Sequence, residues 1–176
     1  MITKSNLNKT VSFLQEFIAE VQLGLHVSEL SEDDFESLVK DERSILNWLS
    51  KFGHFLSEDS FHLGFRLYEN AKIDGAVLGI YATNDGTLHI FLIESFVRYQ
   101  DQHSLKGNLI TLVVIAATFF LSEYPESKGV YIVEPHDDLV LHYKKFGFEL
   151  LENDMVMYAT IETLQSVQLS LKNKVQ

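Results

Sequence analysis

The segment from Ile90 to Phe148 holds most of the structural information in this chain, and its sequence is IFLIESFVRYQDQHSLKGNLITLVVIAATFFLSEYPESKGVYIVEPHDDLVLHYKKFGF. A strand pattern ends at Val97, the polar loop Arg98 to Lys106 follows, and Gly107 precedes a helical pattern. Gly129 to Val133 is a short, β-branched run typical of a buried strand. The first N–H groups of a helix have no acceptor inside it and lie at the positive end of its dipole. Strand, glycine turn and helix start together therefore predict an anion site.

Further elements are predicted C-terminal to that strand. His136 to Phe146 suits a helix, because Pro135 precedes it and Gly147 follows it. Two final strands are predicted, and the tail from Glu162 is expected to be polar or weakly helical. The strands are Phe148 to Leu151 and Met155 to Ile161, on either side of the turn Glu152-Asn153-Asp154.

The part of the chain before Ile90 begins with an amphipathic helix pattern over residues 6–23 and a strand at Leu25 to Leu30. Ser31 and three acidic residues then form a helix start signal, although Asp34 stands where a capping box usually has Glu or Gln. This helix is expected to break near Asp41 or Gly53. A period of two then predicts three antiparallel strands, the last two joined by a tight turn at Asn84-Asp85-Gly86. These strands are His62 to Glu69, Ala76 to Thr83 and Thr87 to Val97.

Composition limits the classes of function. The chain has 176 residues, 46% hydrophobic and 22% charged, which suits one globular domain over residues 1–176. It has no cysteine, so disulfides and thiolate nucleophiles are left out, and its seven histidines lack zinc-site spacing, so no metal is expected. The N-terminus lacks the pattern of a signal peptide, and a cytoplasmic location is expected.

The charge and the apolar runs constrain the partners. A formal net charge of −11 disfavours nucleic acid and favours a cationic partner, although solubility alone also explains such a charge. The longest apolar run, Leu109 to Leu121, is shorter than the roughly 20 residues that cross a bilayer, so no membrane contact is expected. Exposed final strands and the first helix offer surfaces through which two copies of the chain could pair as a homodimer.

The anion site resembles the pyrophosphate loop of the GNAT superfamily of acyl-CoA-dependent N-acyltransferases. The family pattern is Gln/Arg-x-x-Gly-x-Gly/Ala, and Gln102-His103-Ser104-Leu105-Lys106-Gly107 stands in its place. Leu105 replaces the first Gly, and its side chain would crowd the approach to the phosphates if the loop kept the family's conformation. The resemblance implies that these six residues and Asn108 contact acetyl-CoA.

A second resemblance lies in Leu141-His142-Tyr143-Lys144-Lys145-Phe146-Gly147-Phe148, which is similar to the family's Leu-Tyr-x-Lys-x-Gly-Phe signature. In that family the Tyr lies near the CoA sulfur and protonates or hydrogen-bonds the leaving thiolate. Tyr143 is therefore the candidate general acid, and a core aromatic is the alternative. The family often has Asn seven residues earlier, where this chain has His136, which we include among the cofactor contacts.

The strand before the loop supplies the remaining candidates. In the family, backbone N–H groups near the end of the fourth strand hold the acetyl carbonyl and the pantetheine, which here implies Phe96 and Val97. Glu94 lies close to where the family sometimes places a carboxylate base. Alternatively, Glu94 is an ordinary strand-end carboxylate, or it pairs with Arg98 on the same face of the strand.

Taken together, the resemblance implies an α+β fold with a mixed, mostly antiparallel sheet of about six to seven strands and helices on both faces. Residues 1–24 would be an added N-terminal helix, and the sheet would splay between its fourth and fifth strands to hold acetyl-CoA. The implied reaction moves an acetyl group from acetyl-CoA to a primary amine of a small molecule or peptide, cationic by the charge argument. The alternative is a catalytically degenerate GNAT-like module that serves binding or regulation.

Overall fold

The computed structural model describes residues 2–68, 71–151 and 155–175, so the predicted turn Glu152-Asn153-Asp154 lies outside the described residues. The helices are α1 Ile2–Glu20, α2 Glu32–Lys40, α3 Phe52–Phe55, α4 Leu109–Ser122, α5 Val140–Lys145 and α6 Ile161–Val175. The strands are β1 Leu25–Ser28, β2 Ser60–Leu67, β3 Gly75–Ala82, β4 Thr87–Ser95, β5 Gly129–Val133, β6 Glu149–Leu150 and β7 Val156–Thr160. Short 3₁₀ turns at Leu49–Lys51 and Asp137–Leu139 lead into α3 and α5.

The seven strands form one sheet in the order β1-β2-β3-β4-β5-β7-β6. Neighbouring strands are antiparallel except for β4 and β5, which are parallel. One core cluster joins the sheet to α1, α4, α5 and α6, and a second joins the opposite face to α2 and α3. The predicted α+β class, the number of strands and the helices on both faces are confirmed.

Helix α4 is the centre of the larger core. Its side chains are apolar nearly all round, and Leu112, Ile115 and Phe120 are fully buried. Helix α6 packs against α4 and buries Leu164 completely. The tail from Glu162, expected to be polar or weakly helical, thus belongs to a helix, because the apolar surface of α4 stabilises a segment whose own helical pattern is weak.

The start of α2 also differs from the expectation. The Ser31 hydroxyl accepts from the Asp34 N–H at 3.0 Å, and an Asp34 carboxylate oxygen accepts from the Ser31 N–H at 2.9 Å. The capping box is thus complete with Asp in place of Glu or Gln. The helix ends at Lys40, next to the predicted break at Asp41.

A β-bulge in β4 sets which side chains face each side of the sheet. Gly79 of β3 lies opposite Ile90 and Leu78 lies opposite Leu92, so Phe91 is the extra residue. Ile90 therefore points into the core under α4, whereas Leu92, two residues later, points into the α2–α3 cluster. Without the bulge these two side chains would share a face. The bulge thus turns Glu94 toward α2 and α3.

Candidate active site

Strands β4 and β5 pair only over the first part of β4. The parallel register begins at Thr87 with Gly129 and ends at Ile90 with Ile132, although β4 continues to Ser95. Beyond this point, no described residue pairs with β4 on the β5 side, so every second residue of β4 directs its N–H and C=O into an opening. The structure has the splay that was predicted between the fourth and fifth strands.

A cavity of about 300 Å³ occupies this opening, and we call it the strand cavity. Its walls come from four places: β4, the end of β5, the segment that leads into α3, and the region around α5. The residues that matter for its chemistry are Asn47, Ser50, Lys51, Phe91, Glu134, His136 and Tyr143.

A second cavity of about 400 Å³, the loop cavity, lies between the end of β4, the loop 98–108 and the start of α4. Arg98 and Lys106 bring positive charge to it, and Asp138 brings a carboxylate. Ile93 and Leu139 line both cavities, so the two adjoin at the sheet opening. A long, thin ligand that enters beside the loop can therefore extend into the strand cavity.

Tyr143 lies in the wall of the strand cavity. Tyr143 is 3% exposed, and burial raises the pKa of its phenol above the ordinary value. Its ring packs edge-on against Phe148, with the centroids 6.1 Å apart. The phenol is consequently protonated at neutral pH and can donate a proton or a hydrogen bond into the cavity.

Glu94 is placed away from the strand cavity and is 5% exposed. One carboxylate oxygen accepts from the Ser44 hydroxyl at 2.8 Å and from the indole N–H of Trp48 at 2.8 Å. The other accepts from the Ile45 N–H at 2.6 Å. Three donors therefore hold this carboxylate, which fastens the segment before α3 to β4.

The other role considered for Glu94 was a pair with Arg98, and that interpretation is wrong. Arg98 instead donates to the backbone carbonyl oxygens of Ser95 and Arg43, at 3.1 Å each. The guanidinium thus joins the end of β4 to the segment that follows α2.

Glu134 was not singled out by the sequence, yet it lines the strand cavity directly after β5. Its φ of 51° lies in the left-handed region, which costs a residue other than Gly some backbone energy. Its N–H donates to the Met155 carbonyl at 2.7 Å, which holds this conformation. The residue is exposed, and no side chain among the described residues donates to its carboxylate. Glu134 is therefore a carboxylate open to a ligand.

His103 is buried inside the loop instead of facing solvent or phosphate. Its Nδ1 accepts from the Leu105 N–H at 3.1 Å, which leaves the ring proton on Nε2 in the neutral form. Nε2 lies 3.1 Å from a carboxylate oxygen of Asp74, and the two side chains are 4% and 5% exposed. The contact of His103 with a phosphate is thus replaced by a hydrogen bond that ties the loop to the residue before β3.

Leu105 points into the core and is fully buried. Its Cδ2 would lie 2.6 Å from a Cβ added at Gly75, so the absence of a side chain there makes room for it. The Leu105 side chain is thus packed against the start of β3, on the buried side of the loop.

The backbone of the loop is a series of turns that close on themselves. The N–H groups of His103, Lys106 and Asn108 donate to the carbonyls three residues before each of them, at 3.2, 3.0 and 3.0 Å. Gly107 has a φ of 79°, which only Gly adopts without strain. Four of the seven amides from Gln102 to Asn108, those of His103, Leu105, Lys106 and Asn108, therefore donate inside the loop. The N–H groups of the first turn of α4, next to the loop, have no acceptor within the helix.

The remaining loop candidates divide into two groups. Leu105, Lys106 and Gly107 line the loop cavity. Gln102 is exposed, and the Asn108 side chain donates to the Ser104 carbonyl at 2.7 Å. Lys106 also forms an ion pair with the exposed carboxylate of Asp101.

The predicted amide donors Phe96 and Val97 are already engaged. The Phe96 N–H donates to the Asp74 carbonyl at 2.8 Å, and the Val97 N–H lies 3.3 Å from the Ser95 hydroxyl. The open edge of β4 lies earlier, from Phe91 to Ser95, because the bulge and the splay both begin there. His136 does line the strand cavity, and its Nδ1 accepts from the Asp138 N–H at 3.2 Å.

Sequence reasoning also missed the polar segment before α3. Asn47, Ser50 and Lys51 line the strand cavity, and the Lys51 ammonium lies 5.1 Å from the centre of the Phe91 ring. The aromatic residues near this segment lie mainly in the core: Phe35, Trp48 and Phe55 are buried, whereas Phe52 is 39% exposed. Between Phe35 and Phe55, these three polar residues and Leu46 line the cavity.

The described part of the chain has neither a metal-binding cluster nor a membrane-spanning helix. No three or more His, Asp or Glu side chains there are grouped closely enough to hold a metal ion. Over the same residues, every helix is too short or too polar to cross a membrane.

The sequence matches no protein-family model and no curated protein. Solved structures nevertheless resemble the fold. The ribosomal-protein-S18-alanine N-acetyltransferase from Escherichia coli has a TM-score of 0.58 at 13% identity, over 78% of this chain and 94% of its own. Ard1 from Thermoplasma volcanium has a TM-score of 0.55 at 15% identity, over 78% and 97%. AtaTR, solved with AcCoA bound, has a TM-score of 0.58 at 13% identity, over 82% and 98%. These likenesses agree with the seven-stranded sheet and its opening between β4 and β5. Together they show that the chain has the fold of the GNAT superfamily.

Proposed function

We propose that the protein transfers an acetyl group from acetyl-CoA to a primary amine. The observation that carries the proposal is the opening between β4 and β5, with a cavity on each side of it and a buried tyrosine in its wall. The two adjoining cavities suit an acyl-pantetheine arm, which is long and thin and carries amide groups along its length. The complex of the structural neighbour AtaTR with AcCoA supports this choice of donor.

The cofactor would enter through the loop cavity. Its pyrophosphate would lie at the start of α4, where the N–H groups of Leu109 and Ile110 have no helical acceptor. Arg98 and Lys106 add positive charge on that side. The pantetheine amides would follow the open edge of β4 between Phe91 and Ser95, which places the acetyl group in the strand cavity.

The reaction needs a base for the amine, because a primary amine is protonated at neutral pH. Glu134 would receive that proton, directly or through a water, since its carboxylate is open to the cavity. The amine nitrogen then attacks the thioester carbonyl, a C–N bond forms, and the C–S bond breaks. As the C–S bond breaks, the nitrogen loses its second proton, and this proton reaches the departing CoA sulfur through the Tyr143 phenol. The phenol hydrogen-bonds the sulfur, and its raised pKa keeps it protonated before and after the transfer.

Glu94 has a different part in this proposal from the one expected. Its three hydrogen bonds hold the segment that carries Asn47, Ser50 and Lys51 to the strand cavity. We assign Glu94 to positioning, and Glu134 to proton transfer. The acceptor class is a primary amine of a small molecule or a peptide, and the net charge of −11 favours a cationic one.

A transfer assay tests the proposal. Purified protein is incubated with acetyl-CoA and a panel of amines, and the release of the CoA thiol is followed together with the acetylated product by mass spectrometry. We expect turnover with at least one amine, a fall in kcat/KM of about 10²-fold or more in Glu134→Gln, and little change in Glu149→Gln on the exposed edge strand. Equal rates for wild type and Glu134→Gln would remove Glu134 from the mechanism.

A non-catalytic module remains the second candidate, and one observation favours it. The loop amides of His103, Lys106 and Asn108 donate inside the loop, so fewer N–H groups face a pyrophosphate than the resemblance implied. Such a module would bind acetyl-CoA weakly or not at all. Measured affinity for acetyl-CoA, independent of turnover, separates the two candidates.

A further inference from the structure

A third cavity, separate from the two described above, lies near the chain's N-terminus. It measures about 360 Å³ and lies between the first turns of α1, the β1–α2 connection, and the segment from Phe55 to His62. We call it the N-terminal cavity. Phe55, the last residue of α3, lines this cavity, whereas Ser50 and Lys51, in the 3₁₀ turn before α3, line the strand cavity.

Two hydrogen-bond donors on β2 line this cavity. Ser60 is 5% exposed, and its hydroxyl has no hydrogen-bond partner among the described residues. His62 is two residues further along the same strand, so both side chains lie on one face of the sheet. A buried hydroxyl without a partner is costly, which makes this position suited to a ligand that accepts from it.

His62 presents its second nitrogen as a donor. Its Nδ1 accepts from the Leu30 N–H at 2.9 Å, so the proton of the neutral ring is on Nε2. Burial and the nearby ammonium of Lys4 lower the pKa of His62 to about 4, which keeps the ring neutral at pH 7. No described residue accepts from the Nε2–H.

Four charged side chains line the N-terminal cavity, one ammonium and three carboxylates. The ammonium of Lys4 lies near His62 and near Glu29, since it affects the pKa of both. Burial raises the pKa of the Glu29 carboxyl, and the Lys4 ammonium opposes this rise. The carboxylates of Glu32 and Glu58 are exposed, and apolar side chains form the rest of the wall, namely Leu7, Leu30, Phe55 and Leu56.

We propose that the N-terminal cavity binds a small zwitterion, an amino acid with a short apolar chain between its carboxylate and its ammonium. The carboxylate accepts from the Ser60 hydroxyl and the His62 Nε2–H beside Lys4, and the ammonium lies at Glu32 and Glu58. This site is independent of acetyl transfer, because it shares no lining residue with the strand cavity or the loop cavity.

Calorimetry on the full chain at neutral pH tests the proposal without acetyl-CoA. The probes are 4-aminobutanoate and 6-aminohexanoate, with hexanoate and hexylamine as half-ligands. At least one amino acid should bind about tenfold or more tightly than either half-ligand, since only the zwitterion engages both ends. No binding of either amino acid at about 10 mM, or equal binding of hexanoate, would overturn the proposal.

Two variants locate the ligand. Ser60→Ala should weaken binding of the amino acid about tenfold and leave the unfolding temperature of the free protein unchanged or higher, because the hydroxyl has no partner to lose. Glu58→Gln should weaken the amino acid and leave hexanoate unaffected, whereas Glu126→Gln, outside the cavity, should change neither. If Ser60→Ala binds as the wild type does, the site lies elsewhere and the proposal fails.

Discussion

The substitution Glu94→Gln separates a positioning role from a catalytic one. The carboxylate accepts from Ser44, Ile45 and Trp48, and an amide of the same shape has only one oxygen for these three donors. If that oxygen faces Ser44 and Trp48, the new NH₂ group faces the Ile45 N–H and leaves it unpaired in a buried place. The loss of one charge-assisted hydrogen bond and one satisfied N–H should lower the free energy of unfolding by about 2–4 kcal/mol.

The single tryptophan of the chain provides the assay. Trp48 donates its indole N–H to Glu94, so its fluorescence reports on the same contact during a urea titration. Glu149→Gln is the matched control, because Glu149 is exposed on the short strand β6. We expect the control to change the free energy of unfolding by less than about 0.5 kcal/mol.

One result would contradict the positioning role of Glu94. A Glu94→Gln protein that unfolds at the wild-type urea concentration but turns over about 10³-fold more slowly would show that Glu94 is the base. The assignment of proton transfer to Glu134 would then be wrong.

Three further predictions follow from the same structure. Leu105→Ala should lower the free energy of unfolding by about 2–4 kcal/mol in a urea titration, because Leu105 is fully buried, whereas Leu141→Ala, 74% exposed, should cost less than about 0.5 kcal/mol. Tyr143→Phe should lower kcat about 10–100-fold with acetyl-CoA affinity unchanged in a binding assay, and an unchanged kcat would rule out Tyr143 as the acid. His62 has a folded pKa of about 4, below its unfolded value of 6.5, so the unfolded state binds more protons between these values. Stability should be full above pH 6.5 and fall toward pH 4 in urea titrations, and His62→Gln should flatten that slope.

The elements of the fold were largely accessible from the sequence. Strand β5 was predicted at its observed bounds, because Gly129 to Val133 is a compact β-branched run between turn residues. The bulge at Phe91 was not accessible, since four consecutive apolar residues, Ile90 to Ile93, hide the change of face. The helix α6 was expected only as a weak one, because its partner surface on α4 is a tertiary contact that no local pattern shows.

The sequence predicted the opening between the fourth and fifth strands, but only some of the side chains that line it. Tyr143 and His136 were found from a local signature and do line the strand cavity. The loop was misjudged because its conformation depends on a partner 29 residues away in sequence, the carboxylate of Asp74 that holds His103. Glu134 was not predicted as a site residue, because the residues beside it in the sequence do not indicate a left-handed backbone at this position.

The affinity of the purified protein for acetyl-CoA is the most direct test of the central claim that the opening between β4 and β5 is an acyl-CoA site. Thermal unfolding is followed with acetyl-CoA, free CoA and ATP, each in large excess. Acetyl-CoA and CoA should raise the unfolding temperature by the equivalent of about 2–3 kcal/mol at hundredfold excess over Kd, and ATP should not. No shift with acetyl-CoA at millimolar concentration would contradict the enzyme proposal and leave the non-catalytic module.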